Sequence, residues 1–116
     1  MIIDLHTHTT KYSMCSIVSP ESLVEKYISA GLDGVCITEH NRVWKKEEQD
    51  ALLKKYGSKI RIFFGMEVDT DIGHALLFGS DLVENSGVIS LKSLLNKIDG
   101  ERSALIWAHP FRWESM

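Results

Sequence analysis

Little in this sequence marks a specialised class of protein. Only two of its 116 residues are cysteine, Cys15 and Cys36, and the opening Met1-Ile2-Ile3-Asp4-Leu5-His6 is no export signal: it has no basic segment and puts an acid and an imidazole where such a signal is apolar. A disulfide framework is therefore not expected, and Cys36, inside Val35-Cys36-Ile37, reads as a small buried hydrophobe. The longest apolar runs, 104–108 and 75–78, fall far short of the ~20 residues that span a bilayer. A cytoplasmic chain that does not enter the membrane is the expectation. Basic residues are not in excess: 13 Lys and Arg face 16 Asp and Glu, a net charge of -3, which leaves no field to hold a nucleic-acid backbone. A glycine-rich phosphate loop and a serine-nucleophile motif are also missing, so nucleotide-dependent phosphorylation and acyl transfer have no support. There is no repeat, linker or low-complexity tract, and the length allows one small domain.

What is present is a series of short apolar runs at 2–5, 34–38, 60–64, 74–78 and 104–108. They are nearly continuous rather than alternating, as in strands buried on both faces of a parallel sheet. Between the first two, Ser19-Pro20-Glu21-Ser22 is a helix start with proline at the first helical position, followed by a stripe of Leu23, Val24, Tyr27 and Ile28 and a stop at Gly31. A second helix is predicted over 46–56, with acids early, lysines late and Gly57 after its end. A third starts at Ser90 and carries Leu91, Leu94, Leu95 and Ile98. The stretch from Glu67 to Gly73 is too short for a crossover helix and reads as a loop. The expected class is α/β with a mostly parallel sheet.

All five histidines fall at or beside the end of an apolar run. His6 and His8 follow the first, Glu39-His40 the second, Glu67 the third and His109 the fifth; only His74 precedes its strand. The C-terminal ends of parallel strands are where α/β proteins build their sites. At least four imidazoles and two carboxylates would meet at one end of one sheet, a cluster costly to bury unless a divalent metal compensates it. In His6-Thr7-His8, residues two apart on an extended chain share a face, and a carboxylate such as Glu67 can bridge two ions.

With Asp4-Leu5-His6-Thr7-His8-Thr9, Ile37-Thr38-Glu39-His40, Gly65-Met66-Glu67-Val68 and Ala108-His109-Pro110-Phe111-Arg112, the chain closely resembles the polymerase and histidinol phosphatase (PHP) family. The resemblance implies a distorted seven-stranded, TIM-like β/α barrel that binds two or three Zn, Mn or Fe ions and hydrolyses phosphoesters through a metal-held hydroxide. It implies His6, His8 and Glu67 as ligands of one metal, Glu67 and His109 of a second, and His40 of a third. His74, in Gly73-His74-Ala75-Leu76, matches a further family histidine on the second metal. Three departures stand out. Where the family commonly has Asp or His after the first motif, this chain has Tyr12-Ser13-Met14-Cys15-Ser16, with Cys15 the one potential substitute. The second motif is Glu-His where Asp-His is more common. The late Asp-x-His motif is absent, so residues 1–116 read as the N-terminal part of a PHP domain, about half a barrel.

Arg112, three residues past His109, and Arg42, after Glu39-His40-Asn41, are candidates to clamp a substrate phosphate. The expected substrate is a small phosphorylated molecule rather than nucleic acid, and the expected partner is a second copy or the missing half. Two rival readings stay open: a catalytically silent metal-binding or interaction half-domain, and an amidohydrolase-like hydrolase. The latter also begins with His-x-His but needs a lysine borne on a strand, and no lysine falls in one of the apolar runs.

Overall fold

The computed structural model describes residues 1–109. Five strands, β1 (Ile3–Thr7), β2 (Gly34–His40), β3 (Arg61–Thr70), β4 (Gly73–Phe78) and β5 (Ala104–Trp107), form one curled sheet in the order β1-β2-β3-β4-β5. Three helices, α1 (Pro20–Ser29), α2 (Lys46–Tyr56) and α3 (Leu91–Lys97), lie between them in sequence. No strand carries a lysine. Among the described residues no helix is long and apolar enough to cross a membrane.

The sheet is mixed, which corrects the expectation of a mostly parallel one. The pairs β1·β2 and β2·β3 are parallel, but β3·β4 and β4·β5 are antiparallel. The cause lies in β3, which does not stop with its apolar run. It continues through Glu67 to Thr70 and turns at Asp71-Ile72 straight into β4, so the predicted loop is largely a hairpin. Two residues can reverse a chain but cannot cross it over to a parallel neighbour.

The helices begin and end where their caps dictate. Ser19 accepts a hydrogen bond from the Ser22 N–H and places Pro20 at the first helical position of α1, which Gly31 follows at φ +79°. Glu48 accepts from the Lys45 N–H at the start of α2, and Ser90 accepts from the Ser93 N–H at the start of α3. Helices α1 and α2 cover one face of the sheet, where Val24, Leu52 and Tyr56 pack on Val35, Ile37 and Ile62. Met66, Val68 and Leu77 continue that face beneath Leu94 and Ile89.

The opposite, concave face is only partly covered, so the strands are not buried on both faces as their continuous apolar character suggests. Leu5 and Phe63 remain 45% and 44% exposed and line an apolar groove with Ile3, Cys36 and Ile106. Cys36 itself is buried, as expected. The groove occupies one end of the concave face and the polar cluster the other. At Gly65, between Phe63 and Glu67, a Cβ would lie 2.6 Å from both the Leu77 carbonyl oxygen and the Phe78 ring, so glycine alone permits this approach of β4.

Candidate metal centre

A β-bulge aims the first two histidines. Asp4 pairs with Val35 and Thr7 with Ile37, so Leu5 and His6 together stand against Cys36 alone. Asp4 turns to the helix side, where its Oδ2 accepts from the Tyr27 hydroxyl at 2.5 Å and its Oδ1 from the His6 N–H at 3.0 Å. Regular pairing would have put His6 on the face of Asp4; the bulge returns it to the concave face with His8. Thr7 and Thr38 hold the distortion: the Thr7 N–H donates to the Thr38 hydroxyl, and the Thr7 hydroxyl donates to the Cys36 carbonyl.

In β2 and β3, His40 and Glu67 stand directly opposite each other. The three residues expected just beyond strand ends, His6, His40 and Glu67, are thus inside strands that run past their apolar portions. His74 joins them because β4 is antiparallel and begins at the edge where β1 to β3 end. His109 follows β5, which brings the chain back to the same edge, with its backbone at φ +30°.

All five histidines line one cavity together with Glu67, Thr7 and Cys15. Glu67, 1% exposed, is its centre. Its Oε1 lies 2.5 Å from Nε2 of His6 and 3.0 Å from Nε2 of His8. Its Oε2 lies 2.7 Å from Nδ1 of His74 and 3.3 Å from Nε2 of His109. Each carboxylate oxygen thus faces its own pair of imidazoles. Burial works to raise the pKa of Glu67, but the contacts from His8 and His6 outweigh it and hold the carboxyl well below the usual carboxylate range. The anion persists throughout the neutral range. Burial, then the neighbouring His8, pushes the His40 imidazole below its ordinary value, which keeps its lone pair free at neutral pH.

These residues fit divalent ions. Two groups, His6/His8/Glu67 and Glu67/His74/His109, each bring three potential ligand atoms within 4.8 Å of one another and share the carboxylate. A buried carboxylate among imidazoles is a hard-to-borderline donor set suited to Zn, Mn or Fe. Nδ1 of His8 and Nδ1 of His109 are buried with no hydrogen-bond partner among the described residues, so the hydrogen bonds present do not account for every ring nitrogen.

Two residues beside the candidate centre were not anticipated. Oδ1 of Asp69 lies 3.3 Å from Nε2 of His74, on the far side of the ring from Glu67. Asn41, at φ +56°, fixes Asp69: its side-chain amide donates to Oδ2 at 3.0 Å, and its Oδ1 accepts from the Asp69 N–H at 2.9 Å. A carboxylate behind a ligating imidazole sets the ring's tautomer and orientation. The available signal was period two, because Asp69 follows Glu67 on the same face of a strand.

Two other candidates lie elsewhere. Glu39, the second expected carboxylate, faces the helix side and is fully buried, where it accepts from the Thr9 N–H, the Thr9 and Ser13 hydroxyls and the Trp44 indole. Alternation along β2 separates it from His40. Arg42 does not line the cavity; it pairs with Glu84 at 2.6 Å and lies over the Tyr12 ring. Arg112 falls outside the described residues.

Comparison with known proteins agrees with this geometry. The family model of the PHP domain matches residues 4–106. A DNA polymerase III PolC-type from Oceanobacillus iheyensis is 36% identical over 67 residues, which is 58% of this chain and 5% of the polymerase.

Proposed function

The chain belongs to the PHP domain family, and from that premise we propose that it is a metal-dependent phosphoesterase whose centre is built on Glu67. The observation that carries this reading is the division of the Glu67 oxygens between His6/His8 and His74/His109. That arrangement suits a carboxylate shared by two ions, the constellation used to displace a group at phosphorus. Bound divalent ions supply Lewis acidity: they lower the pKa of water and neutralise charge on the phosphoryl oxygens.

The chain's own residues have separate tasks. His6, His8, His74 and His109 offer ring-nitrogen donors, and Glu67 supplies the negative charge that draws cations into a partly covered site. Asp69 stands 3.3 Å from Nε2 of His74, on the far side of the ring from Nδ1, which faces Glu67. The described cavity lining contains no arginine or lysine, which leaves Arg112 as the candidate clamp for a phosphate. The substrate is a small phosphorylated molecule, consistent with the acidic net charge. The matched stretch is a small fraction of the polymerase, whose activity is not carried over. The exposed Leu5 and Phe63 on the concave face support the further reading that these strands form part of a larger, TIM-like barrel, completed by additional chain or a second copy.

Elemental analysis of metal-loaded protein, together with turnover of p-nitrophenyl phosphate in Mn(II) or Zn(II), tests the reading. Glu67→Ala is expected to lose metal and metal-dependent turnover together. Full turnover without added metal, unchanged in Glu67→Ala, would overturn it.

A further inference from the structure

The cavity around Glu67 is bordered by the loop 10–18, which contributes Cys15 to its lining. The loop is closed at its base and tightly turned at its tip. The Thr10 N–H donates to the Val18 carbonyl at 2.9 Å, and the Ser16 N–H donates to the Ser13 carbonyl at 3.2 Å, with Met14 and Cys15 in the middle of the turn. Sγ of Cys15 lies 3.3 Å from Nε2 of His40. Met14, just before it, and Ile17, two residues after it, are the most exposed large apolar side chains among the described residues. We propose that Met14 and Ile17 form an apolar lip for the organic group of the substrate, so that the site selects alkyl or aryl phosphomonoesters over sugar phosphates. The inference deepens the metal-dependent reading above and rests on it for what holds the phosphate.

The loop offers a ligand little else. Residues 12–18, Tyr12-Ser13-Met14-Cys15-Ser16-Ile17-Val18, carry no charge, in a chain of which 25% is charged. Every hydroxyl proton on this stretch is already donated within the protein. The Tyr12 hydroxyl donates to Glu48 at 2.6 Å. The Ser13 hydroxyl donates to buried Glu39 at 2.7 Å and accepts from the His40 N–H at 3.3 Å. The Ser16 hydroxyl donates to the His8 carbonyl at 3.1 Å and accepts from the Val18 N–H at 3.2 Å. A sugar hydroxyl pressed against this loop would lose water and gain no side-chain donor in return, a cost that an alkyl or aryl group does not carry.

The same bonds hold the lip in place. Ser13 and Ser16 tie the loop to the backbones of His40 and His8, so Met14 and Ile17 are presented by a segment that needs no ordering when a ligand arrives. Contact with an apolar group then removes surface of both partners from water. The unbranched thioether of Met14 adjusts to groups of different shape, which suits a class of esters rather than one compound.

The test reads binding, not turnover. Unbranched alkylphosphonates from methyl to hexyl share one non-hydrolysable headgroup and differ in apolar length, and their affinities for zinc-loaded protein are measured by calorimetry. A methylene fully removed from water is worth ~4-fold in affinity and one resting on an open lip ~2-fold, so hexylphosphonate should bind about 30-fold more tightly than methylphosphonate. Because the ratio is taken within each protein, changes in headgroup affinity cancel. Met14→Ser combined with Ile17→Ser should reduce it to about 4-fold or less, whereas Met14→Leu combined with Ile17→Leu should keep it. A dihydroxypropylphosphonate should bind no better than methylphosphonate. A wild-type ratio near one, or a ratio that survives both serine substitutions, would overturn the proposal. Turnover of p-nitrophenyl phosphate beside a flat phosphonate series would sink the lip alone, and a length-dependent series in protein that hydrolyses no phosphoester would count against the hydrolase reading alone.

Discussion

Nδ1 of His74 lies 2.7 Å from Oε2 of Glu67, although His74 opens its strand and Glu67 stands in the middle of its own. Only an antiparallel β4 allows this meeting, because it starts at the edge toward which β3 runs. The hairpin thus supplies the second half of the centre. His74→Ala should lose the ion on the Oε2 side and keep the one between His6 and His8. Elemental analysis would show one metal fewer per chain; an unchanged content would remove His74 from the ligand set.

Asp69 acts on the centre through His74. In Asp69→Asn the carboxylate 3.3 Å from Nε2 of His74 loses its charge, so metal affinity should fall by roughly 10–100-fold, as for other carboxylates behind ligating histidines. Competition with a chelator of known affinity measures the change. Because Asp69 is partly exposed, thermal stability of the metal-free protein should move little. A large stability loss with unaltered affinity would make Asp69 structural instead.

Glu39 is the most constrained carboxylate outside the centre. Its two oxygens receive four donors with no access to water, and a glutamine would turn an amide N–H toward at least one of them. Glu39→Gln should cost about 2–3 kcal/mol, readable as a lowered midpoint in urea. The same substitution should weaken the Ser13 link between His40 and the Cys15 loop.

Glu48 sets an acid limit. Burial works to raise its pKa, but the Tyr12 hydroxyl at 2.6 Å, Lys11 and the Lys45 N–H together bring it down to about 2. In the unfolded chain a glutamate titrates near ~4.3. With the folded value depressed, the stabilisation is fully present above that pH and is lost as pH falls toward 2. The side chain is 24% exposed, so solvent screening reduces the contribution to on the order of 1 kcal/mol. Glu48→Gln should therefore melt below wild type at neutral pH, and the two curves should converge in acid. A difference that persists unchanged at low pH would point to packing, not charge.

Much of this was legible in the residues themselves. Helix α2 lies where its charge pattern and Gly57 placed it, and the histidines meet because each is written beside an apolar run. Strand direction was harder. Glu67-Val68-Asp69-Thr70 has a single apolar residue and reads as loop, but Glu67 and Asp69 face the candidate centre and Val68 faces the core, so the segment is a strand with one polar face. That same misreading hid Asp69. Glu39 and His40 read as one motif because they are neighbours in sequence, yet in a strand neighbours are the residues that point apart. The bulge left no signal, since Asp4-Leu5-His6 is equally compatible with regular pairing.

That bulge makes Leu5 a surplus residue. Without it, Asp4 would still face α1, and His6 and His8 would still face Glu67, because a bulge adds one residue without inverting what flanks it. A chain one residue shorter at Leu5 should therefore assemble the same centre, whereas one residue gained or lost between His6 and His8 would turn one imidazole out of it. Insertions and deletions in β1 are thus not equivalent, and the tolerated length change sits one position away from a ligand.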